Sequence, residues 1–231
     1  MSFKKYLSCF LFLAAFLLVF SQARSLVAQV PGILGMPKFG VEFKMPEVGS
    51  YVKYKLTDSK GKSESILKLS IVGKEKGEGG ELFWYEIEQT EPKTGSTNVF
   101  KMLISGDPQE AGSIKRIIYK EGKNPANELP QAFVALMNQA PKDTTKAVKP
   151  KTKKLGTEKI KTKAGTFDCV HTKDVSERNL VTDTWSNDKV PLFGIVKSTS
   201  GSSTLELLEH GTGAVTAIKE KPNLLQMPGQ K

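Results

Sequence analysis

From Tyr51 onward the chain alternates between apolar and polar positions. Val52, Tyr54 and Leu56 are separated by Lys53 and Lys55, and Leu67, Leu69 and Ile71 by Lys68 and Ser70. The pattern returns, richer in aromatics, over 82–90, then over 98–104 and 114–119. A period of two sends successive side chains to opposite faces of a strand, so each run predicts a strand with one wet face. Gly, Pro, Ser and Lys clusters at 59–62, 76–80, 92–96 and 107–112 punctuate the runs. Strands at such spacing predict antiparallel hairpins in a meander. The alternation resumes over 158–163, 166–172, 182–186, 193–198 and 204–209, with 214–218 as a last short strand.

One stretch keeps a different period. Leu129, Ala132, Phe133, Leu136, Met137 and Ala140 recur at steps of three and four, which predicts an amphipathic helix over 129–140. Asn127 supplies a cap, Pro130 suits the first turn and Pro141 ends it. A helix with one apolar side must lie on something apolar, and the open face of the sheet is the available partner.

The N-terminus changes the picture most. Lys4 and Lys5 precede an apolar run over 6–20, and Ser21, Gln22 and Ala23 follow it. This order reads as a signal peptide, residues 1–23, too short in its apolar part for a spanning helix of ~20 residues. The expected protein is exported, periplasmic and soluble after cleavage, which removes most nucleotide and nicotinamide chemistry from the list, and no nucleic-acid partner is expected. Residues 24–50 form a Pro- and Gly-rich extended lead-in, 51–220 a single domain and 221–231 a loose tail. Of the two cysteines, Cys9 leaves with the signal and Cys169 remains, so no internal disulfide is expected.

The formal charge of +10 is concentrated. Residues 142–163 hold nine lysines against Asp143 and Glu158, and the rest of the mature chain is close to neutral. A lysine-rich loop is expected over 141–156, and Lys149, Lys151, Lys153 and Lys154 are candidates for contact with an anionic membrane surface.

The second half contains GTEKIKTKAGTFDCVHT (156–172), TDTWSNDKVPLFGIVKS (182–198) and LELLEHGTGA (205–214). These segments resemble a set of uncharacterised exported bacterial proteins. They are similar to the half-barrel superfamily that includes the outer-membrane lipoprotein carriers. The resemblance covers roughly residues 156–214. It implies a mainly β fold, a strongly curved antiparallel sheet with a short helix on its concave face. None of the carriers' functional residues maps onto this chain by motif. Gly194 fits the bend such a sheet needs, and Pro191 fits a strand start.

Catalytic and metal signatures are sparse. Cys169 and His171 lie two apart on a strand, ~6.5–7 Å between Cα atoms, against the ~2.6–3.2 Å contact a working dyad needs. His171 and His210 are the only histidines, and no zinc or EF-hand spacing occurs, so no metal and no cofactor is expected. The apolar candidates are Trp84, Phe133, Leu136, Met137, Trp185 and Phe193, proposed to line a site for a lipid or acyl chain between sheet and helix. The expected function is thus a non-enzymatic exported binding protein. The alternative is a structural or interaction protein of the cell envelope with a filled core, meeting another envelope protein. A third reading is an envelope hydrolase in which acids such as Asp183 or Asp188 converge only in the fold.

Overall fold

The structure is a computed structural model that describes residues 42–58, 63–108, 110, 112–138, 152–175 and 179–225. The expected signal peptide (1–23), most of the expected lead-in, Lys149, Lys151 and the side chains of Leu136 and Met137 lie outside the described residues.

The alternating runs form the expected strands. The first half supplies β1 (Tyr51–Asp58), β2 (Ser63–Gly77), β3 (Gly80–Thr90), β4 (Thr97–Ile104), β5 (Ile114–Glu121) and the short β6 (Asn127–Glu128). Helix α1 (Gln131–Asn138) follows. The second half supplies β7 (Lys153–Thr162), β8 (Gly165–Val175), β9 (Val181–Ser186), β10 (Ile195–Ser200), β11 (Ser203–Gly211) and the short β12 (Asn223–Leu224). All twelve strands belong to one sheet, in the order β12-β6-β5-β4-β3-β2-β1-β11-β10-β9-β8-β7. Two meanders meet where β1 pairs with β11, from Tyr51 opposite Gly211 to Asp58 opposite Ser203. Among the described strands only β12 with β6 runs parallel.

Hairpin turns set the register. The β7–β8 hairpin turns through Lys163 and Ala164, placing Thr162 opposite Gly165. Gly165 has φ +139°, a conformation glycine adopts freely. Bulges at Lys53/Tyr54, Ile71/Gly73, Leu103/Ile104, Ile195/Lys197 and Lys154/Gly156 increase local twist and curl the sheet. The curl brings β7 near β10 and β11, and the Phe167 ring to 5.9 Å from that of His210.

Both faces of the first meander are covered, which explains why Tyr85, Glu86 and Ile87 are all buried in succession. On one face, Val52, Leu69 and Ile87 lie opposite one another, as do Ile71, Tyr85, Met102 and Ile117. Here the Phe43 ring stands 6.3 Å from Tyr85 and 5.1 Å from Phe193. The Tyr54 hydroxyl donates to the Ile195 carbonyl at 3.0 Å. On the other face, Trp84, Leu103 and Arg116 form one row and Glu86, Lys101, Ile118 and Glu128 the next.

That second face is crossed by a strap. Residues 212–222, where the sequence suggested a last strand, run without strand pairing from β11 to β12. The Ala214 amide donates to the Gly49 carbonyl, and the Thr216 hydroxyl and Ala217 amide donate to the Glu86 carboxylate at 2.6 and 2.8 Å. Ile218 joins Val99, Ile118 and Ala126 in a buried cluster against Trp84. β12 then holds the beginning of the expected loose tail in the sheet.

The helix starts at Gln131, two residues later than its periodicity suggested, and its anchors are on β5. The Leu129 amide donates to the Ile117 carbonyl at 2.9 Å. The Gln131 and Asn138 side-chain amides donate to the carbonyls of Lys115 and Ile114, at 3.2 and 2.7 Å. Among the described helix side chains Val134 is the one carried into the interior, while Phe133 is half-buried. The segment therefore sheathes carbonyls that a strand near the sheet edge would otherwise leave open.

Candidate functional site

The apolar candidates whose side chains are described have different neighbours. The Trp84 ring is flanked by two cations, Lys101 Nζ at 4.9 Å and the Arg116 guanidinium at 5.2 Å from its centroid, beneath the strap. Phe193 is buried against Phe43, in the turn before β10 rather than in the strand expected there. Phe133 sits on α1. Trp185 on β9 stacks on His171, with centroids 4.4 Å apart, and Lys197 Nζ lies 5.5 Å from its ring. A recess of about 420 Å³ occurs at the hairpin tips, but it is lined by polar residues including Thr57, Asp58, Ser63, Glu64, Thr199 and Thr204.

The Pro191–Gly194 turn is held tightly where it closes over the hydrophobic face. Leu192 is buried with φ +66°, unusual for a bulky side chain, and its carbonyl accepts from the Lys44 amide at 3.0 Å. A Cβ added to Gly194, at φ +67°, would stand 3.2 Å from the Asn187 carbonyl oxygen. The turn thus needs glycine both for its backbone conformation and for the close approach.

The strongest polar constellation joins β7, β8 and β9. His171 Nδ1 lies 2.7 Å from Glu158 Oε1, and Nε2 lies 2.8 Å from Asp183 Oδ1. The Trp185 indole N–H donates to the second Glu158 oxygen at 2.9 Å. These hydrogen bonds from Trp185 and His171 hold the Glu158 carboxyl below the usual carboxylate range. Lys173 Nζ lies 3.7 Å from Asp183. Both ring nitrogens of His171 are thereby committed to carboxylates.

The nearby thiol has a different neighbour. Cys169 is fully buried, with Sγ 3.6 Å from the Phe167 carbonyl, and burial pushes its pKa up to about 11. Such a thiol stays protonated at neutral pH and is a poor nucleophile. Asp188, the other acid considered for hydrolysis, is exposed and pairs with Lys44 at 3.0 Å. Among the described residues no group of three or more His, Cys, Asp or Glu is placed to hold a metal ion.

The Glu158 tie also orients the strand that carries the basic residues. β7 is the terminal strand of the sheet, and it begins at Lys153, so Lys153 and Lys154 belong to a strand rather than to the expected loop. Their side chains are exposed, as are those of Lys159 and Lys161 further along. Register places Lys159 opposite Asp168 and Lys161 opposite Thr166, while Ile160 lies opposite Phe167. Lys159 and Lys161 fall within the basic segment of the sequence, and no site is expected of them there. The signal was present in their alternation with Glu158 and Ile160.

No protein-family model matches the chain, and no curated protein does. Among solved structures it is similar to a Bacteroides fragilis protein, provisionally assigned as exported and as having a YmcC-like fold. That match has 14% identity over 74% of this chain and 100% of the other, with a TM-score of 0.38. It is also similar to a Parabacteroides distasonis protein provisionally assigned as a lipoprotein, at 15% identity over 75% of this chain and 100% of the other, with a TM-score of 0.37.

Proposed function

We propose that the chain is an exported, non-enzymatic interaction protein of the cell envelope, with a core filled by its own side chains and a basic β7 end that meets an anionic partner. The pattern over residues 1–23 supports export. The observation that carries the filled-core reading is the contact of Phe43 with Tyr85 and Phe193 over the hydrophobic face, closed by the bond from Tyr54 to Ile195. An acyl chain held at that place would have to displace protein aromatics whose burial is already favourable at ~25 cal/mol per Å². The dispersal of Trp84, Trp185 and Phe193 among different partners supports the same choice. The protonated Cys169 thiol and the doubly engaged His171 support a non-enzymatic role.

The rival is the cargo reading, in which a lipid or acyl chain occupies space between sheet and helix. Organic extraction of the purified exported protein followed by mass spectrometry separates the two. The filled-core reading expects no lipid in stoichiometric amount and no saturable uptake of a fluorescent fatty acid. One tightly held lipid per protein overturns it.

A further inference from the structure

The two ends of the sheet are finished differently. At one end β12 and β6 are two residues each, and α1 with its flanking residue Leu129 binds the β5 carbonyls of Ile114, Lys115 and Ile117. At the other end β7 runs for ten residues with β8 on one side and, among the described residues, no strand on the other. Thr157, Lys159 and Lys161 are exposed.

The hairpin register says which backbone groups are open. A two-residue turn makes its flanking pair, Thr162 and Gly165, a hydrogen-bonded pair. Alternation along the ladder then turns the N–H and C=O groups of Ile160 and Glu158 toward β8, and those of Lys161, Lys159 and Thr157 outward. The bulge at Lys154/Gly156 lies upstream, so this outward row is regular. Glu158, held by His171 and Trp185, fixes the strand's orientation from the other face.

The side chains select the partner. A second copy pairing antiparallel through this row would set Lys159 against Lys159, and like charges directly opposite are destabilising. The tie from Lys159 to Asp168 is an exposed pair at 3.8 Å, a geometry worth little. We propose that β7 accepts an extended protein segment as a thirteenth strand, with acidic residues opposite Thr157, Lys159 and Lys161 and apolar residues between them, on the side of Ile160. This rests on the interaction-protein reading and names the chemistry of its partner. Main-chain bonds supply affinity in such strand addition, and alternate side chains supply specificity.

The test uses the exported protein and a labelled, end-capped peptide of about nine residues alternating glutamate and valine. Fluorescence anisotropy should show saturable binding, and amide exchange at Thr157, Lys159 and Lys161 should slow. Two further peptides decide the geometry without altering the protein. N-methylation of the glutamate amides, which would donate to β7, should weaken binding about tenfold or more, because ladder bonds are lost. N-methylation of the valine amides, which would point away, should leave binding nearly unchanged. Equal behaviour of the two methylated peptides would mean attraction by charge alone and overturns strand addition. So does absence of peptide binding, including the case in which the protein instead binds phosphatidylglycerol vesicles through the same lysines. A lipid recovered from the core would overturn the filled-core reading and leave these peptide outcomes intact, so the two failures are separable.

Discussion

Tyr54 and Tyr85 are both buried on the hydrophobic face, yet their hydroxyls have different surroundings. Tyr54 donates to Ile195, whereas Tyr85 has no hydrogen-bond partner among the described residues. Burial raises both phenols far above their ordinary range, so neither is charged. Removing a hydroxyl that is bonded leaves a carbonyl unsatisfied, whereas removing an unbonded one relieves a desolvated dipole. Tyr54→Phe should therefore cost ~1 kcal/mol in urea unfolding, and Tyr85→Phe should be neutral or stabilising. Equal losses would show that the Tyr85 hydroxyl contributes a bond of its own. At this scale the sequence was informative about burial and silent about pairing. The alternation placed Tyr54 among the apolar positions of its strand, but nothing near it in the chain indicates Ile195, 141 residues away.

At the scale of elements, the β5–β6 pair is fastened by a two-pronged ion pair. Arg116 Nε and Nη2 donate to the two Glu128 oxygens at 2.7 and 2.9 Å. The guanidinium holds Glu128 below its usual 4.5. A carboxyl lowered by folding contributes stability above its unfolded pKa and loses it as pH falls through the lowered value. Glu86 on β3 acts in the opposite sense. Burial raises it, against the hydrogen bonds from Thr216 and Ala217, so its ionisation subtracts stability as pH rises from 4.5 through the raised value. Urea midpoints taken from about pH 3 to about pH 8 should separate them. Glu128→Gln should flatten the acid-side loss, and Glu86→Gln should flatten the decline on the rising side. Unchanged profiles in both variants would remove this account. The elements themselves were largely legible: ten strands follow runs of alternation, with ends shifted by a few residues. The helix was legible as a period, but its place along β5 was not, because an apolar stripe specifies that it must be covered and not by what.

At the scale of the whole described fold, the strap ties distant strands together. It leaves β11 near the middle of the sheet, lays Ile218 into the cluster with Val99, Ile118 and Ala126, and delivers β12 to β6. Glu220 pairs with Lys120 at 2.5 Å on the way. Ile218→Ala should cost about 2–5 kcal/mol, the range for truncating a buried aliphatic side chain. Amide exchange in β6 and β12 should accelerate with it, since those strands are only two residues long and depend on the strap for placement. A loss of stability without faster exchange there would separate packing from anchoring.

The residue order by itself determined the β class, the hairpin succession, the helix period and the concentration of positive charge in 142–163, because each depends on neighbours within a few positions along the chain. Tertiary structure alone decided that β1 pairs with β11, that a strap buries Glu86, that Trp84 stands between two cations and Trp185 beside one, and that β7 is terminal among the described strands. Those outcomes join residues far apart in the chain. They follow from which strands share an edge and how far the bulged sheet curls, and the period of a strand carries no information about either.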